Sequence, residues 1–142
     1  MSQTILLVED EPDIAMTTRV SLELAGYRVL VAETAEQARD RIGEPFDAVI
    51  LDLRLPDREG WWVVDEFRRH PEKASVPIVI VSAHASPGTL ARASDQGLPY
   101  ITKPFAPDRL VGLIGEILRG TPSESEVRDR GSDPPTPEPP ES

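Results

Sequence analysis

Five short apolar runs alternate along the chain with segments that carry helix signals. The runs are Thr4–Val8, Tyr27–Ala32, Ala48–Leu53, Pro77–Ser82 and Tyr100–Thr102. They are rich in Val, Ile and Leu and lack the polar alternation of a half-exposed strand, which is typical of parallel strands covered on both faces. Such strands, joined by helices, form a doubly wound sheet with right-handed crossovers. We therefore predict an α/β fold with five parallel strands and helices on both faces.

Helix boundaries between these runs are marked by specific residues. Pro12 suits the first turn of a helix that Gly26 ends. Thr34 begins a Thr-Ala-Glu-Gln capping box, and Ser86 stands before a proline that fits the first helical position. A last helix is predicted from about Pro107 to Arg119. The pair Trp61–Trp62 opens a further helix after the third run, so each predicted strand is followed by a helix.

The composition changes after Arg119. Residues 120–142 hold six of the fifteen prolines and six acidic residues, with Val127 as the one large aliphatic side chain. Such a segment cannot bury enough apolar surface to offset the entropy lost on ordering. We predict a folded domain over residues 1–119 and a disordered acidic, proline-rich tail over 120–142.

The charge and residue content exclude several classes of protein. Cysteine is absent, which removes disulfides and thiolate metal sites, and no apolar run of about 18 residues occurs. The formal net charge of −10 argues against general affinity for nucleic acid or anionic membrane. These features predict a soluble, cytoplasmic protein.

The third apolar run ends abruptly at the carboxylate of Asp52. From its position alone, a lone acid there is more typical of a solvated strand end, so the ends of the other runs decide the matter. In open parallel sheets, ligands bind beyond the carboxyl ends of the strands. The residues predicted at that edge are Glu9, Asp10, Asp52, Ser82 and Lys103.

These five residues suggest phosphoryl chemistry. Three neighbouring carboxylates repel one another, and a hard cation such as Mg²⁺ relieves the repulsion. Asp52 stands alone on its strand and is the candidate nucleophile, which leaves Glu9 and Asp10 for the metal. Lys103 can pair with a phosphoryl or carboxylate oxygen, and Ser82 can donate a hydrogen bond to the product.

Four motifs, ILLVEDE, DAVILDLRLPDREG, VIVSA and YITKPF, resemble in order and spacing the receiver domain of two-component response regulators. The resemblance covers residues 3 to about 118 and implies a flavodoxin-like sheet of strand order 2-1-3-4-5. It implies that Asp52 is the phosphoacceptor. It further implies that Asp10 binds Mg²⁺ directly, Glu9 mostly through water, and Arg54 through its backbone carbonyl.

The same resemblance assigns roles to the remaining motif residues. Ser82 would hold the phosphoryl group, Lys103 would form the active-site ion pair, and the Lys103–Pro104 bond would be cis. Tyr100 would turn inward when Ser82 moves toward the phosphoryl group. Positions 54 and 84, here Arg54 and His84, would tune the rate of dephosphorylation.

One loop departs from the family pattern. Receivers usually place a glycine four residues before the switch aromatic, whereas Gly97 lies three residues before Tyr100. The loop is one residue short, and Pro99 stiffens it because proline fixes φ. We expect this loop to damp the aromatic switch.

The sequence thus predicts a signalling switch that a sensor histidine kinase or phosphotransfer protein phosphorylates at Asp52 with Mg²⁺. Its own chemistry would be limited to self-phosphorylation and slow hydrolysis, and its output would be an unknown protein partner rather than DNA. The alternatives are the receiver part of a longer transcriptional or enzymatic regulator, a Mg²⁺-dependent phosphohydrolase and a pseudo-receiver that only binds. Arg54 stands where such hydrolases usually carry a second aspartate, and the complete set of five site residues opposes a pseudo-receiver.

Overall fold

Five parallel strands form one sheet in the order β2-β1-β3-β4-β5 in the computed structural model, which describes residues 3–83 and 86–119. The strands are β1 Thr4–Val8, β2 Arg28–Ala32, β3 Ala48–Asp52, β4 Ile78–Ser82 and β5 Tyr100–Thr102. The helices are α1 Pro12–Leu24, α2 Ala35–Asp40, α3 Gly60–Arg69, α4 Pro87–Asp95 and α5 Pro107–Leu118. The predicted fold class and strand order are confirmed. The tail predicted over 120–142 and the loop residue His84 lie outside the described residues.

Burial differs between the central and edge strands. Every residue of β3 and β4 is buried, whereas β2 runs from an exposed Arg28 to a buried Ala32 through half-buried positions. In β5, only Ile101 is buried. The edge strands are less buried because each lacks a strand neighbour on one side, but side chains from both of their faces still pack against buried residues, as expected for strands covered on both faces.

The alternation of side chains along the strands divides the core into two clusters. Leu6 and Val49 pack on the face covered by α2, α3 and α4, where Phe67 is fully buried. Ile5 and Ile50 pack on the opposite face, under α1 and α5. Because both faces of the central strands are covered, polar chemistry is confined to the ends of the strands.

Among the described helices, none is long and apolar enough to span a membrane.

The predicted caps set the helix starts. The hydroxyl of Thr34 accepts the Gln37 N–H at 3.0 Å, and the hydroxyl of Ser86 accepts the Thr89 N–H at 3.2 Å. At the start of α3, a Cβ on Gly60 would lie 2.7 Å from the Asp52 carbonyl oxygen. Glycine is therefore needed where α3 begins against the end of β3.

Both tryptophans of α3 contact arginine side chains. Trp61 is buried, and the Arg92 guanidinium carbon lies 4.4 Å from a Trp61 ring centroid. Trp62 is half-buried, with the Arg58 guanidinium carbon 4.2 Å from its ring centroid. Cation–π contacts of this kind stabilise by about 0.5–1 kcal/mol at exposed sites. Local packing thus accounts for both rings.

Candidate functional site

The carboxyl ends of the strands meet at one edge of the sheet and open into a cleft. Glu9 and Asp10 follow β1, Asp52 ends β3, Ser82 ends β4 and Lys103 follows β5. The cleft has a volume of about 280 Å³ and is lined by Asp10, Glu11, Asp52, Arg54, Ala83 and Lys103. Residues far apart in sequence are brought together here because all five strands run in the same direction.

Lys103 lies at the centre of an ion-pair network. Its Nζ is 2.8 Å from Asp52 Oδ2, 3.0 Å from Glu9 Oε1 and 3.0 Å from Glu11 Oε1. Burial by itself lowers the pKa of Lys103, but the hydrogen bonds to Asp52, Glu11 and Glu9 outweigh burial and raise it. The lysine is therefore a fixed positive charge at the mouth of the cleft.

Asp52 is buried, with 4% of its surface exposed. One carboxylate oxygen, Oδ2, accepts from Lys103, and the other, Oδ1, accepts the Arg54 N–H at 2.9 Å. The backbone continues the sheet beyond this residue, since the Leu53 N–H donates to the Val81 carbonyl at 3.1 Å. The carboxylate is thus held in one orientation by a cation on one side and a backbone donor on the other.

Glu9 is the most buried acid of the site, at 3% exposure. Its pKa is raised from 4.5 to about 7, chiefly by burial and further by the negative charge of Asp52, although the hydrogen bond from Lys103 lowers it. The Glu11 N–H also donates to Glu9 Oε2 at 3.2 Å. In the absence of a metal, the folded chain therefore holds a proton on Glu9 near neutral pH more readily than an ordinary glutamate does.

Three carboxylates at this edge are close enough to share a metal ion. Glu9, Asp10 and Asp52 each offer one carboxylate oxygen, and these oxygens all lie within 4.8 Å of one another. Carboxylate oxygens are the donors that Mg²⁺ and Ca²⁺ prefer. A divalent cation would also offset the repulsion that raises the pKa of Glu9, so the donor set fits such an ion.

The structure also describes Ser82, Tyr100 and the Lys103–Pro104 bond, whose predicted roles stay predictions. Ser82 is buried, and its carbonyl accepts the Lys103 N–H at 3.0 Å. Tyr100 is half-buried and packs against the cluster under α2, α3 and α4. The Lys103–Pro104 peptide bond is cis. The role predicted for His84 stays a prediction, because that residue is not described.

The short loop between α4 and β5 is well anchored. Gly97 adopts a φ of 68°, which glycine tolerates without strain. The Leu98 N–H donates to the Ala93 carbonyl at 2.8 Å, and the Pro99 carbonyl accepts the Ile80 N–H at 2.8 Å. Both contacts fix the approach to Tyr100, which is consistent with a stiff loop, and its effect on the switch stays a prediction.

Two acids of this region were missed by sequence reasoning. Glu11 is the third partner of Lys103, and Asp57 binds the start of α2 through both carboxylate oxygens. Glu11 directly follows the Glu9–Asp10 pair, so its position was a usable signal. Asp57 looks like an ordinary turn residue in the sequence, and the two residues it binds, Ala35 and Glu36, lie 22 and 21 residues away along the chain.

Comparison with known proteins identifies the family. The model of the response regulator receiver domain matches residues 5–115. The transcriptional regulatory protein KdpE of Staphylococcus aureus is 37% identical over 130 residues, which cover 89% of this chain and 54% of that protein. The phosphate regulon transcriptional regulatory protein PhoB of Pseudomonas aeruginosa is 35% identical over 89% of this chain and 57% of its own length. The chain thus spans about half the length of the curated relatives it matches.

Solved structures of similar proteins agree with the sequence matches. A CheY-like receiver domain protein from Methanospirillum hungatei has a TM-score of 0.78 and 28% identity, over 88% of this chain and all of that one. The receiver domain of a Pseudomonas aeruginosa sensor histidine kinase, with a magnesium ion in its active-site cleft, has a TM-score of 0.76 and 30% identity, over 84% of this chain and 99% of that one. The family match, the strand order and the acidic cleft lead to one conclusion: this chain belongs to the response regulator receiver domain family.

Proposed function

We propose that this chain is a phosphorylation-dependent signalling switch in which Asp52 accepts a phosphoryl group from the phosphohistidine of a sensor kinase or phosphotransfer protein. The observation that carries the proposal is the 2.8 Å contact of Asp52 with Lys103 beside Glu9 and Asp10. An Asp52 oxygen attacks phosphorus, an acyl phosphate forms, and the bond from phosphorus to the histidine nitrogen breaks. Slow hydrolysis of the acyl phosphate resets the switch.

The neighbouring residues have separate tasks in this proposal. Asp10, Asp52 and the backbone carbonyl of Arg54 would hold Mg²⁺ directly and Glu9 would hold it mostly through water, and the bound ion would supply charge neutralisation at the phosphoryl group. Lys103 exchanges a carboxylate partner for a phosphoryl oxygen, and Ser82 donates a hydrogen bond to the same group. The magnesium ion in the related kinase receiver supports this choice of metal.

The proposal is tested by covalent labelling. A small phosphodonor with Mg²⁺ should add one hydroxylamine-sensitive phosphoryl group, and Asp52→Asn should abolish the addition. Asp47→Asn is the matched control, because Asp47 binds the Thr4 N–H at 2.7 Å beside the start of β3, at the opposite end of that strand from the cleft. Intact-mass spectrometry measures the added phosphoryl group in both variants. Labelling that survives Asp52→Asn would refute the assignment.

The metal assignment has its own test. Asp10→Asn removes a charged oxygen donor from the cleft, so the Mg²⁺ dissociation constant should rise by about tenfold or more. The fluorescence of Trp61 and Trp62, on the helix that follows the Asp52 loop, offers a direct readout. An unchanged Mg²⁺ titration in Asp10→Asn would count against this metal site.

Two output mechanisms remain in the proposal. The net charge of −10 favours output through a protein partner in the cytoplasm, with no DNA contact by this region. The curated relatives, however, are longer transcriptional regulators, of which the match covers only 54% and 57%, and this favours a receiver that belongs to a longer regulator. Immunodetection of the native protein separates the two, since a product near 15.6 kDa supports the first and a much longer product supports the second.

A further inference from the structure

The loop between β3 and α3, residues 53–59, is tied to the start of α2 by two charged side chains. Asp57 Oδ1 accepts the Ala35 N–H at 2.9 Å, and Oδ2 accepts the Glu36 N–H at 3.0 Å. The adjacent Arg58 binds the Glu36 carboxylate at 3.0 Å. The tip of the loop that follows Asp52 is therefore attached to a different element.

Asp57 acts as a cap supplied from outside the helix. The first N–H groups of a helix have no partner within it, and the positive end of its dipole favours a carboxylate. Thr34 satisfies only the Gln37 N–H, so Asp57 supplies the acceptors for Ala35 and Glu36. Although slight burial raises the pKa of Asp57, the backbone N–H donors outweigh it and hold that pKa below its usual value.

The other end of the same loop contacts the phosphoacceptor. The Arg54 N–H donates to Asp52 Oδ1, and Arg54 lines the cleft. The base of the loop is closed, because the Gly60 N–H donates to the Leu53 carbonyl at 2.8 Å and Arg54 forms an isolated antiparallel bridge with Glu59. With the base fixed, the attachment of the tip determines the tilt of the loop.

We propose that Asp57 is a positioning residue for the phosphoacceptor site. Its tether to α2 holds the loop 53–59 so that the Arg54 backbone stays against Asp52 and at the cleft. This inference rests on the proposed function of Asp52 and adds a residue that contacts neither metal nor phosphoryl group. The expected effect has the size of other outer-shell substitutions, which change metal affinity by about tenfold or more.

The test compares two caps of one helix. Asp57→Ala removes the tether and two hydrogen-bond acceptors, whereas Thr34→Ala removes a cap whose hydroxyl binds the Gln37 N–H within α2 itself. Asp57→Ala should speed amide hydrogen exchange at Arg54 in the metal-free chain and raise the Mg²⁺ dissociation constant about tenfold. Thr34→Ala should leave both within about twofold of wild type, since only the helix end is affected.

Each outcome bears on the inference. If folded Asp57→Ala matches Thr34→Ala in both Arg54 exchange and Mg²⁺ affinity, Asp57 is only a helix cap and the inference is wrong. If Asp57→Ala does not fold, Asp57→Asn removes one of the two acceptor oxygens. An increase in Arg54 exchange and in the Mg²⁺ dissociation constant that is smaller than predicted for Asp57→Ala, but still above Thr34→Ala, supports the inference, and no increase in either refutes it. Wild-type chain that binds no Mg²⁺ or takes no label at Asp52 refutes the proposed function, while the Arg54 exchange rates still decide whether the tether holds the loop.

Discussion

The chain contains two lysines, one at the amino ends of the strands and one at their carboxyl ends, and both are largely buried. Lys73 precedes β4 and is 6% exposed; its Nζ donates to the Glu44 carbonyl at 2.8 Å and lies 4.4 Å from the ring centroid of Phe46. Lys103 follows β5, has a side chain 12% exposed and binds three carboxylates. Each site buries a lysine ammonium group, but the partners of the two groups differ.

The partners determine what each lysine can do. A carbonyl dipole and an aromatic face satisfy the ammonium of Lys73 without introducing a group that reacts or exchanges. That contact joins the segment before β3 to the segment before β4, which Arg68 also braces by donating to the Val76 carbonyl at 3.0 Å. The carboxylates around Lys103 can instead bind a metal ion or be replaced by a phosphoryl oxygen. Burial of a charge therefore does not mark a site unless its partners are exchangeable.

The largest expected difference between the two lysines is in the rate of phosphoryl transfer. Lys103→Met removes the positive charge nearest to Asp52, and loss of one preorganised charge at a reacting centre costs on the order of a hundredfold. Lys73→Met should leave the rate unchanged, because Lys73 lies at the opposite edge. Labelling of Asp52 with a small phosphodonor measures both. Equal losses in the two variants would break the comparison.

The stability of the same variants should respond differently to metal. Lys103→Met leaves Asp52 and Glu9 buried without a cation, which should lower the free energy of unfolding by roughly 3–5 kcal/mol at pH 7. Mg²⁺ should restore part of that loss. Lys73→Met loses one charge-assisted hydrogen bond, worth about 1.5–3 kcal/mol, and Mg²⁺ should not restore it. Urea unfolding measures the free energy of unfolding of each variant with and without Mg²⁺. A gain in the stability of Lys73→Met on adding Mg²⁺ would contradict the comparison.

The carboxyl edge should also carry a pH dependence. The pKa of Glu9 is about 7 in the folded chain and near 4.5 when unfolded, so between these values the folded chain binds more protons. The free energy of unfolding should consequently fall as pH rises from 4.5 to 7, by at most about 3 kcal/mol at about 1.4 kcal/mol per pH unit.

Two controls isolate Glu9 as the source. Glu9→Gln should flatten this part of the stability profile, and Mg²⁺ should do the same in wild type because a cation favours the ionised carboxylate. Urea unfolding at pH 5 and pH 7.5 is the measurement. A profile in which wild type and Glu9→Gln fall equally would assign the dependence to another group.

Strand and helix positions were predictable because they depend on local signals. The uninterrupted apolar runs placed all five strands within about a residue of their observed bounds, and Thr34 and Ser86 marked helix starts by side-chain capping. The edge of the sheet at which Glu9, Asp52 and Lys103 meet also followed, since parallel strands have their carboxyl ends together. The parallel topology thus explains why acids that are distant in the sequence cluster in the structure.

The contacts that the sequence did not reveal join distant segments through single side chains. Lys73 is notable in the sequence only as one of two lysines, and its partner Glu44 is 29 residues away. Asp57 reaches α2 and Arg92 reaches Trp61 in the same way. No periodicity or spacing encodes such contacts, because they depend on how loops and helix ends are placed after the sheet has formed.

The smallest expected effect concerns Glu11, the outermost partner of Lys103. Its side chain is 59% exposed, whereas those of Glu9 and Asp52 are 4% and 5% exposed, so solvent screens its ion pair most. Exposed pairs contribute about 0–1 kcal/mol, and Glu11→Gln should change the free energy of unfolding by no more than that. Removing this charge leaves Lys103 bound to Glu9 and Asp52 and lowers the repulsion that an incoming phosphoryl group meets in the cleft, so labelling of Asp52 should accelerate by about two- to threefold. Rapid-mix labelling of Glu11→Gln beside Glu23→Gln, an exposed acid bound to Arg19 within α1, separates a local effect from a change in net charge. If both variants accelerate equally, Glu11 acts only through the overall charge; if Glu11→Gln slows labelling, its contact with Lys103 is part of the arrangement that prepares Asp52 for attack.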